Sequence, residues 1–422
     1  AHLRAGRSRG RRRAALCLAV AASAASAPER PNIVLIFLDD AAYSDFRPFG
    51  NPPYATPHVE RLAAEGVRYT RFHVPQAVCS ASRAALLTGC YPHRNRVVNA
   101  IAPGRRGLDP KHPIIAETFK QHGYATAHFG KWHLGQNLKP GDRYEPKDQG
   151  FDVDFPHTPS APGPGGGGGY LAPWKFIKDP TITDEVGVNI EDRMSKEAAK
   201  YIAAHKDKPF YLNYWAFSVH SPWNARADYI EHFKAKADPK NPQHNALYAA
   251  MVKSLDDGVG RIIQAVDDAG IADNTIIVFY SDNGGYAYPP KKTDPEGYAD
   301  IPATSNLPLR SGKASLYEGG TREPGIVVWP GKVKAGATAD FLMQSVDLYP
   351  TLLRAGGAAS KPDQKVDGLD QTDALLGGAS PRDRVFCHFP HGNATRDSVM
   401  DGFYAGSYVR KGDWKLIRFY GR

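Results

Sequence analysis

An α/β fold is what this chain predicts: a large mixed, mostly parallel sheet with helices on both faces, followed by a small antiparallel C-terminal subdomain. Three observations carry that reading. Apolar runs at 33–38, 124–129, 210–217 and 275–280 each stop at polar residues, and helix-like segments lie between them. These runs are apolar almost throughout rather than alternating, which is how strands buried on both faces read. Residues 408–419 form two strand-like runs around a Lys411-Gly412-Asp413 turn, which suits an antiparallel pair.

The N-terminus stands apart from the fold. Six arginines (Arg4, Arg7, Arg9, Arg11, Arg12, Arg13) precede the apolar stretch 14–22 and small residues at Ser23, Ala24, Ser26 and Ala27. That order reads as a secretory signal peptide over 1–24, cleaved after Ala24 or Ala25 rather than before Pro28. The stretch is shorter than the roughly 20 residues of a membrane span. No stable membrane span is therefore expected, and the mature protein is expected to be secreted or periplasmic. The paired arginines leave a twin-arginine route open, whereas Leu16 is too large for lipidation at Cys17. Removing those six arginines from the formal net charge of +9 leaves +3, too little to imply a nucleic-acid surface. A chain of 422 residues can bury one large core and a smaller appendage, which we place at 31–380 and 381–422. It begins with Ala1 rather than Met and stops at Arg422 straight after a strand-like run, so truncation of either end, and of the C-terminal subdomain, is left open.

Each element has its own local warrant. The run 33–38 leads into Asp39-Asp40. Residues 82–87 are good helix formers closed by Gly89, which puts Cys79 just before a helix N-terminus, where unpaired N–H groups favour anions. A helix at 114–120, closed by Gly123, precedes the strand 124–129 and a glycine-bounded loop carrying Lys131 and His133. Pro162-Gly163-Pro164 and the glycines 165–169 are too entropic to pack and read as a flexible surface insertion. The run 210–217 precedes His220-Ser221-Pro222. An amphipathic helix over about 247–269 precedes the run 275–280 and Ser281-Asp282-Asn283. Ligand crevices of open α/β sheets lie beyond the carboxyl ends of the strands, so all four polar clusters should share one rim.

The chemistry of those clusters narrows the function. Asp39, Asp40 and Asp282 grouped without a cation would raise a pKa sharply, because like charges in one site do not all ionise cheaply. With the amide oxygen of Asn283 they make an all-oxygen set suited to a hard cation, Ca2+, or Mg2+ if the cage is tighter. Lys313 lies in a glycine-rich stretch, 311–324, whose glycines permit close backbone approach to a ligand. Cys79, Cys90 and Cys387 survive removal of the leader, and whether Cys90 pairs with Cys387 is left open.

The run Cys79-Ser80-Ala81-Ser82-Arg83, followed by Leu86-Leu87-Thr88-Gly89, resembles the sulfatase signature, in which the cysteine is oxidised to formylglycine. The resemblance extends over about 31–419. It takes in Asp39-Asp40, Thr56-Pro57-His58, the loop 130–135, His220-Ser221-Pro222, the segment 281–285, the segment 312–324 and the run 411–416. It implies an alkaline-phosphatase-like fold and a type I, arylsulfatase-like activity on a sulfated small molecule or glycan. Asp39, Asp40, Asp282 and Asn283 would hold the cation, usually calcium, with the modified Cys79 as a further ligand. Arg83 would steady the aldehyde hydrate, and Lys131 and Lys313 would neutralise the sulfate oxygens. One hydroxyl of the hydrate attacks sulfur while His220 protonates the leaving alcohol, and His133 then helps the second hydroxyl expel sulfate. His220 and Arg322 would join the two lysines in binding substrate. A formylglycine-generating enzyme is the implied maturation partner.

Two alternatives accompany this reading: a phosphate or phosphonate monoester hydrolase of the same superfamily, and a non-catalytic sulfated-glycan binder whose Cys79 stays unmodified. Two positions depart from the family pattern. Ala81 stands where proline is commoner, and Ala41-Ala42-Tyr43-Ser44-Asp45 is poor in glycine, which bears on the shape of that loop.

Overall fold

The computed structural model describes residues 30–158, 169–288, 300–391 and 403–421. The expected leader and all of the glycine-rich insertion except Gly169 lie outside the described residues. In chain order the first half holds β1 (Asn32–Leu38), α1 (Pro57–Glu65), β2 (Val67–Tyr69), β3 (Phe72–His73), α2 (Cys79–Thr88), α3 (Pro92–Asn95), α4 (Ile115–Gln121), β4 (Ala125–Gly130), β5 (Val153–Phe155), α5 (Ile190–His205) and β6 (Phe210–Trp215). The second half holds α6 (Ala227–Lys234), α7 (Ala246–Asp268), β7 (Thr275–Ser281), α8 (Glu318–Thr321), β8 (Gly325–Val328), β9 (Ala337–Ala339), β10 (Met343–Gln344), α9 (Leu348–Ala355), α10 (Thr372–Leu375), β11 (Arg384–Phe389), β12 (Gly406–Lys411) and β13 (Trp414–Phe419).

The four apolar runs become β1, β4, β6 and β7, and they lie side by side. The main sheet has eight strands in the order β5-β4-β6-β1-β7-β8-β2-β9. From β5 to β7 every pairing is parallel. Beyond β7 the sheet turns mixed, because β8 runs antiparallel to both β7 and β2. Alternation along β1 sorts the helices into two layers. Val34, Ile36 and Leu38 pack in one core with side chains of α1, α5, α6 and α7, while Ile33, Leu35 and Phe37 pack in the other with α2, α4 and α9. Each large apolar side chain so buried is worth about 1.5–3 kcal/mol, which makes the two-sided sheet the dominant stabilising feature.

Local signals set the helix limits. The amide oxygen of Asn245 accepts from the Tyr248 N–H at 3.0 Å and opens α7, and the Asn189 side chain caps α5 through the Glu191 N–H at 2.9 Å. Gly89 closes α2 in the left-handed region at φ 65°. Cys79 is the first residue of α2, capped by Val78, one step further into the helix than its sequence suggests. The longer helix follows from burial, since every residue of α2 is enclosed.

The expected C-terminal pair is β12 and β13, turning at Gly412 with φ 56°. A third strand, β11, pairs antiparallel with β12. Its inner side chains Val385, Cys387 and Phe389 pack with Tyr408 on Val78, Ala81, Ala314 and Leu316, which flank Cys79 and Lys313. Cys90 and Cys387 are free thiols. The Cys90 S–H reaches the Lys365 carbonyl at 3.0 Å, and the Cys387 S–H reaches the Gln76 amide oxygen at 3.1 Å. Among the described residues no helix is long and apolar enough to cross a membrane.

Polar contacts fasten the same sheet. Glu318 on α8 is bridged by Arg410 of β12, by Lys415 of β13 at 2.9 Å and by His73 at 3.6 Å. Burial opposes its charge, but His73, Lys415 and Arg410 outweigh burial and hold the carboxyl well below the usual range. A depressed carboxylate stabilises above its unfolded pKa, near 4.5, and that contribution is lost as pH falls below it. Glu318→Gln is expected to cost about 2–3 kcal/mol, short of a fully buried pair because the side chain keeps some water contact. Hydrogen exchange checks this: β12 and β13 should exchange faster in the variant at neutral pH, and the difference from wild type should shrink in acid.

Candidate active site

The parallel strands deliver the expected residues to one rim. Asp39 follows β1, and its N–H donates to the Ser218 carbonyl at 3.0 Å, while the Asp282 N–H donates to the Leu38 carbonyl at 3.1 Å. These bonds prolong the β1–β6 and β1–β7 pairings past the strand ends and bring the polar clusters together. Asp40 takes a left-handed backbone at φ 61°. In that conformation its N–H donates to Asp282 Oδ1 at 3.2 Å and its Oδ1 accepts from Asn283 Nδ2 at 2.8 Å. Ser281 Oγ steadies the turn by accepting from the Ala41 N–H at 3.1 Å and donating to the Asn283 carbonyl at 3.0 Å.

Cys79 sits inside this group. Its Sγ is 3.5 Å from Asp39 Oδ1, 4.0 Å from Asp40 Oδ1 and 3.6 Å from Lys313 Nζ. One donor atom from each of Asp39, Asp40, Cys79 and Asp282 lies within 4.8 Å of the others, and all four residues are buried. Cations interleave with the carboxylates. Lys131 Nζ bonds Asp39 Oδ2 at 2.5 Å, Lys313 Nζ bonds both Asp40 oxygens at 2.6 Å, and Arg83 Nη2 bonds Asp282 Oδ2 at 2.7 Å. Arg83 also donates from Nη1 to the Lys131 carbonyl at 3.1 Å, and its guanidinium lies 5.0 Å from the Phe37 ring centroid and 5.2 Å from that of Trp215.

The three carboxylates share their charge unequally. Burial opposes ionisation of Asp39, yet Lys131, His220, Arg83 and Lys313 hold its carboxyl well below the usual range. Asp40 is lowered in the same way, chiefly by Lys313 and His220 against burial. Burial pushes Asp282 up to about 7 despite Arg83. Burial also pushes the Cys79 thiol up to about 12, against the pull of Lys131 and Lys313. A neutral thiol is a poor nucleophile, and burial favours that form of Cys79.

The donor set fits a hard cation. Asn283 Oδ1 is buried and has no hydrogen-bond partner, an orphan oxygen at the carboxylate cluster that a coordinated ion would satisfy. The structure thus brings Asp39, Asp40, Cys79, Asp282 and Asn283 together, with Arg83, Lys131 and Lys313 around them.

The two histidines are held differently. His133, at φ 57°, places Nε2 2.9 Å from the Ile101 carbonyl. That assigns the proton to Nε2 and leaves Nδ1, buried and unpartnered, as the acceptor. Burial, then Lys131 and Arg83, push its pKa well below the ordinary value. His220 is partly exposed, with Nδ1 2.5 Å from the Ser221 carbonyl and Nε2 3.6 Å from Asp40 Oδ2. Its pKa is lowered by burial and Lys313, with Asp40 pulling the other way.

Two of the expected residues have structural ties. Arg322 is tied to Glu318 at 3.7 Å and lies over the Tyr43 ring, 5.3 Å from its centroid, so it supports the loop after Asp40. The glycines around Lys313 allow close backbone packing: a Cβ on Gly312 would meet the Gly285 carbonyl at 2.4 Å, and one on Gly284 the Gly319 carbonyl at 1.7 Å.

Several supporting residues escaped the sequence. Buried Glu191 accepts from the N–H groups of Phe217 and Ser218 at 2.8 and 2.9 Å, and the Tyr170 hydroxyl donates to the Phe217 and His220 carbonyls at 2.6 and 2.8 Å. Together they fix the loop carrying His220. Ser80 Oγ donates to the His133 carbonyl at 2.8 Å and accepts from the Ile101 N–H at 3.0 Å. Only Ser80 had a local signal, its place beside Cys79.

Comparison with known proteins agrees with this geometry. A family model described as Sulfatase matches residues 31–358. Arylsulfatase A of Homo sapiens is 33% identical over 421 residues, covering 94% of this chain and 78% of that protein. N-acetylgalactosamine-6-sulfatase of Canis lupus familiaris is 32% identical over 417 residues, covering 94% and 75%. Among solved structures, Ps i-CgsB in complex with k-i-k-neocarrahexaose superposes with a TM-score of 0.78 at 26% identity, covering 93% of this chain and 85% of that one. With both sequence relatives aligned over nearly all of the chain and the family match spanning every strand of the parallel sheet, this chain belongs to the sulfatase family and is a sulfuric ester hydrolase.

Proposed function

We propose that the protein removes sulfate from a sulfated carbohydrate or aryl sulfate with an oxidised Cys79, a formylglycine, as its reactive group and a calcium or magnesium ion beside it. The observation that carries this is the setting of Cys79 Sγ, which marks where an oxygen of the oxidised residue would sit. It is surrounded by carboxylates and by the Lys313 ammonium, while the unmodified thiol is kept neutral. When present, a hydrated formylglycine supplies an oxygen nucleophile and the cation supplies fixed positive charge. Asp39, Asp40, Asp282 and Asn283 would hold that cation.

The chain's own groups divide the remaining work. Lys131 and Lys313 offer two ammonium groups to the sulfate oxygens, and Arg83 holds Asp39 and Asp282 in place. His133, neutral with Nδ1 unpartnered, accepts a proton. His220, partly exposed at the outer side of Asp40, delivers a proton to the departing alcohol. The carbohydrate reading is supported by the names of the relatives and by the oligosaccharide bound to the neighbouring structure. The leader over 1–24 supports a secreted or periplasmic enzyme, matured by a formylglycine-generating enzyme before use, with the catalytic domain at 31–380 and a C-terminal subdomain at 381–422.

Peptide mass spectrometry of active enzyme should find Cys79 as the aldehyde, and Cys79→Ala should abolish turnover. Full activity from an unmodified thiol overturns the proposal. Exhaustive chelation should remove activity, and added calcium or magnesium should restore it; a metal-free preparation that still turns over removes the cation from the account.

The histidines separate by leaving group. His220→Ala should slow sugar sulfates by roughly a hundredfold to ten-thousandfold, the range of general acid catalysis. Activated aryl sulfates, whose phenolates leave unaided, should be largely spared. His133→Ala should slow both substrate types. Steady-state kinetics on one sugar sulfate and one nitrophenyl sulfate check this, and equal losses in His220→Ala exchange the assignments.

A further inference from the structure

A pair of imidazoles lies at the seam between the main body and the C-terminal sheet. His93 on α3 and His388 on β11 hold their rings with centroids 4.5 Å apart and planes inclined at 44°. Both residues are exposed. The contact joins elements distant in sequence, and the nearby backbone fixes it: Gln76 Nε2 donates to the Val98 carbonyl at 3.0 Å and to the His388 carbonyl at 3.2 Å.

The ring of His388 is oriented from behind. Its Nδ1 lies 2.6 Å from Ser407 Oγ and 3.1 Å from the Tyr420 hydroxyl, and those two hydroxyls are 2.5 Å from each other. With Nδ1 held by that hydroxyl pair, Nε2 is the ring nitrogen left for a ligand. This is the outer arrangement that metal-bound histidines use, one ring nitrogen held by an oxygen and the other turned to the ion. Neither ring nitrogen of His93 has a hydrogen-bond partner among the described residues. Burial, then repulsion from His388 and His391, lowers the His93 pKa, which favours the neutral imidazole.

We propose that His93 and His388 form a binding site for a divalent transition metal of the zinc class, which bridges α3 and β11 and leaves the remaining coordination positions to water. Imidazole nitrogens suit zinc, copper and nickel, whereas the oxygen cluster at Asp39 and Asp40 suits calcium or magnesium. The chain therefore carries two cation sites that differ in donor type and do not compete for one ion. An ion at the seam ties the C-terminal sheet to the body beside Gln76, three residues before Cys79.

The test is a Zn2+ titration of the full chain saturated with calcium, followed by calorimetry and thermal unfolding at pH 7.5. Wild-type protein should bind one Zn2+ equivalent that excess calcium does not displace, and should melt at a higher temperature with it. His93→Ala and His388→Ala, both at exposed positions, should fold and lose that equivalent. Ser407→Ala should weaken it by about tenfold, the lower end of what removing an outer partner costs. X-ray absorption of the zinc-loaded protein should show imidazole scattering, with Zn–N near 2.0–2.1 Å. Unchanged zinc binding in both histidine variants, or a first shell of sulfur or carboxylate alone, overturns the proposal.

Discussion

Three carboxylates held together out of water are the constraint on which the rim depends. Asp39, Asp40 and Asp282 offer oxygens within 4.8 Å of one another and of Cys79 Sγ. At that spacing a pair costs about 3–4 kcal/mol when both members are ionised, even at an effective dielectric near 20, and Asp282, pushed up to about 7, relieves part of it. Arg83, Lys131 and Lys313 meet that repulsion, and each comes from a different part of the chain: the core of α2, the loop after β4 and the glycine-rich segment before α8. Any arrangement that brings the carboxylates together without all three cations is penalised, so fold and site are specified jointly. The aromatic bed of Phe37 and Trp215 beneath Arg83 serves the same end, keeping a buried guanidinium in the one orientation that reaches Asp282.

The parallel half of the sheet was legible because its strands are continuous apolar runs and each ends in residues of one chemical character. The long amphipathic helix α7 was legible for its length, and the charged residues around Cys79 for their motif. The rest was decided by contacts that leave no local trace. β11 alternates exposed and buried residues, and its six positions include Arg384 and His388, so only pairing with β12 marks it as a strand. The strands β2, β8 and β9 have three or four residues each, too few for a period to emerge. Glu191 and Tyr170 sit far along the chain from the loop they brace. Arg322, inside a glycine-rich motif, was legible as a functional cation but not as the partner of Tyr43, because that partner comes from the loop after β1.

Enclosure separates the reacting centre from its surroundings. Asp39, Asp282, Asn283, Arg83 and Lys131 are wholly buried, whereas Lys313 and His220 keep partial contact with water. Under the proposed function, the inner groups would meet the sulfate that every such ester shares. On the same reading, His220 would meet the departing alcohol, the part that differs between one sulfated substrate and another. The C-terminal sheet belongs to both zones, since its inner face packs on Val78, Ala81, Ala314 and Leu316 beside the reacting residues.

The depth of Cys79 also orders events in time. It is 3% exposed, it begins a helix whose ten residues are all enclosed, and the C-terminal sheet closes over the next turn. Val385, Cys387, Phe389 and Tyr408 pack on Val78 and Ala81 to either side of it, so the sulfur lies beside a layer drawn from the C-terminal sheet. On the formylglycine reading proposed above, a catalyst that oxidises Cys79 would meet it most readily before the C-terminal sheet has docked. On that reading maturation and folding would compete, since a chain whose C-terminal sheet docks first would seal its cysteine in the reduced form.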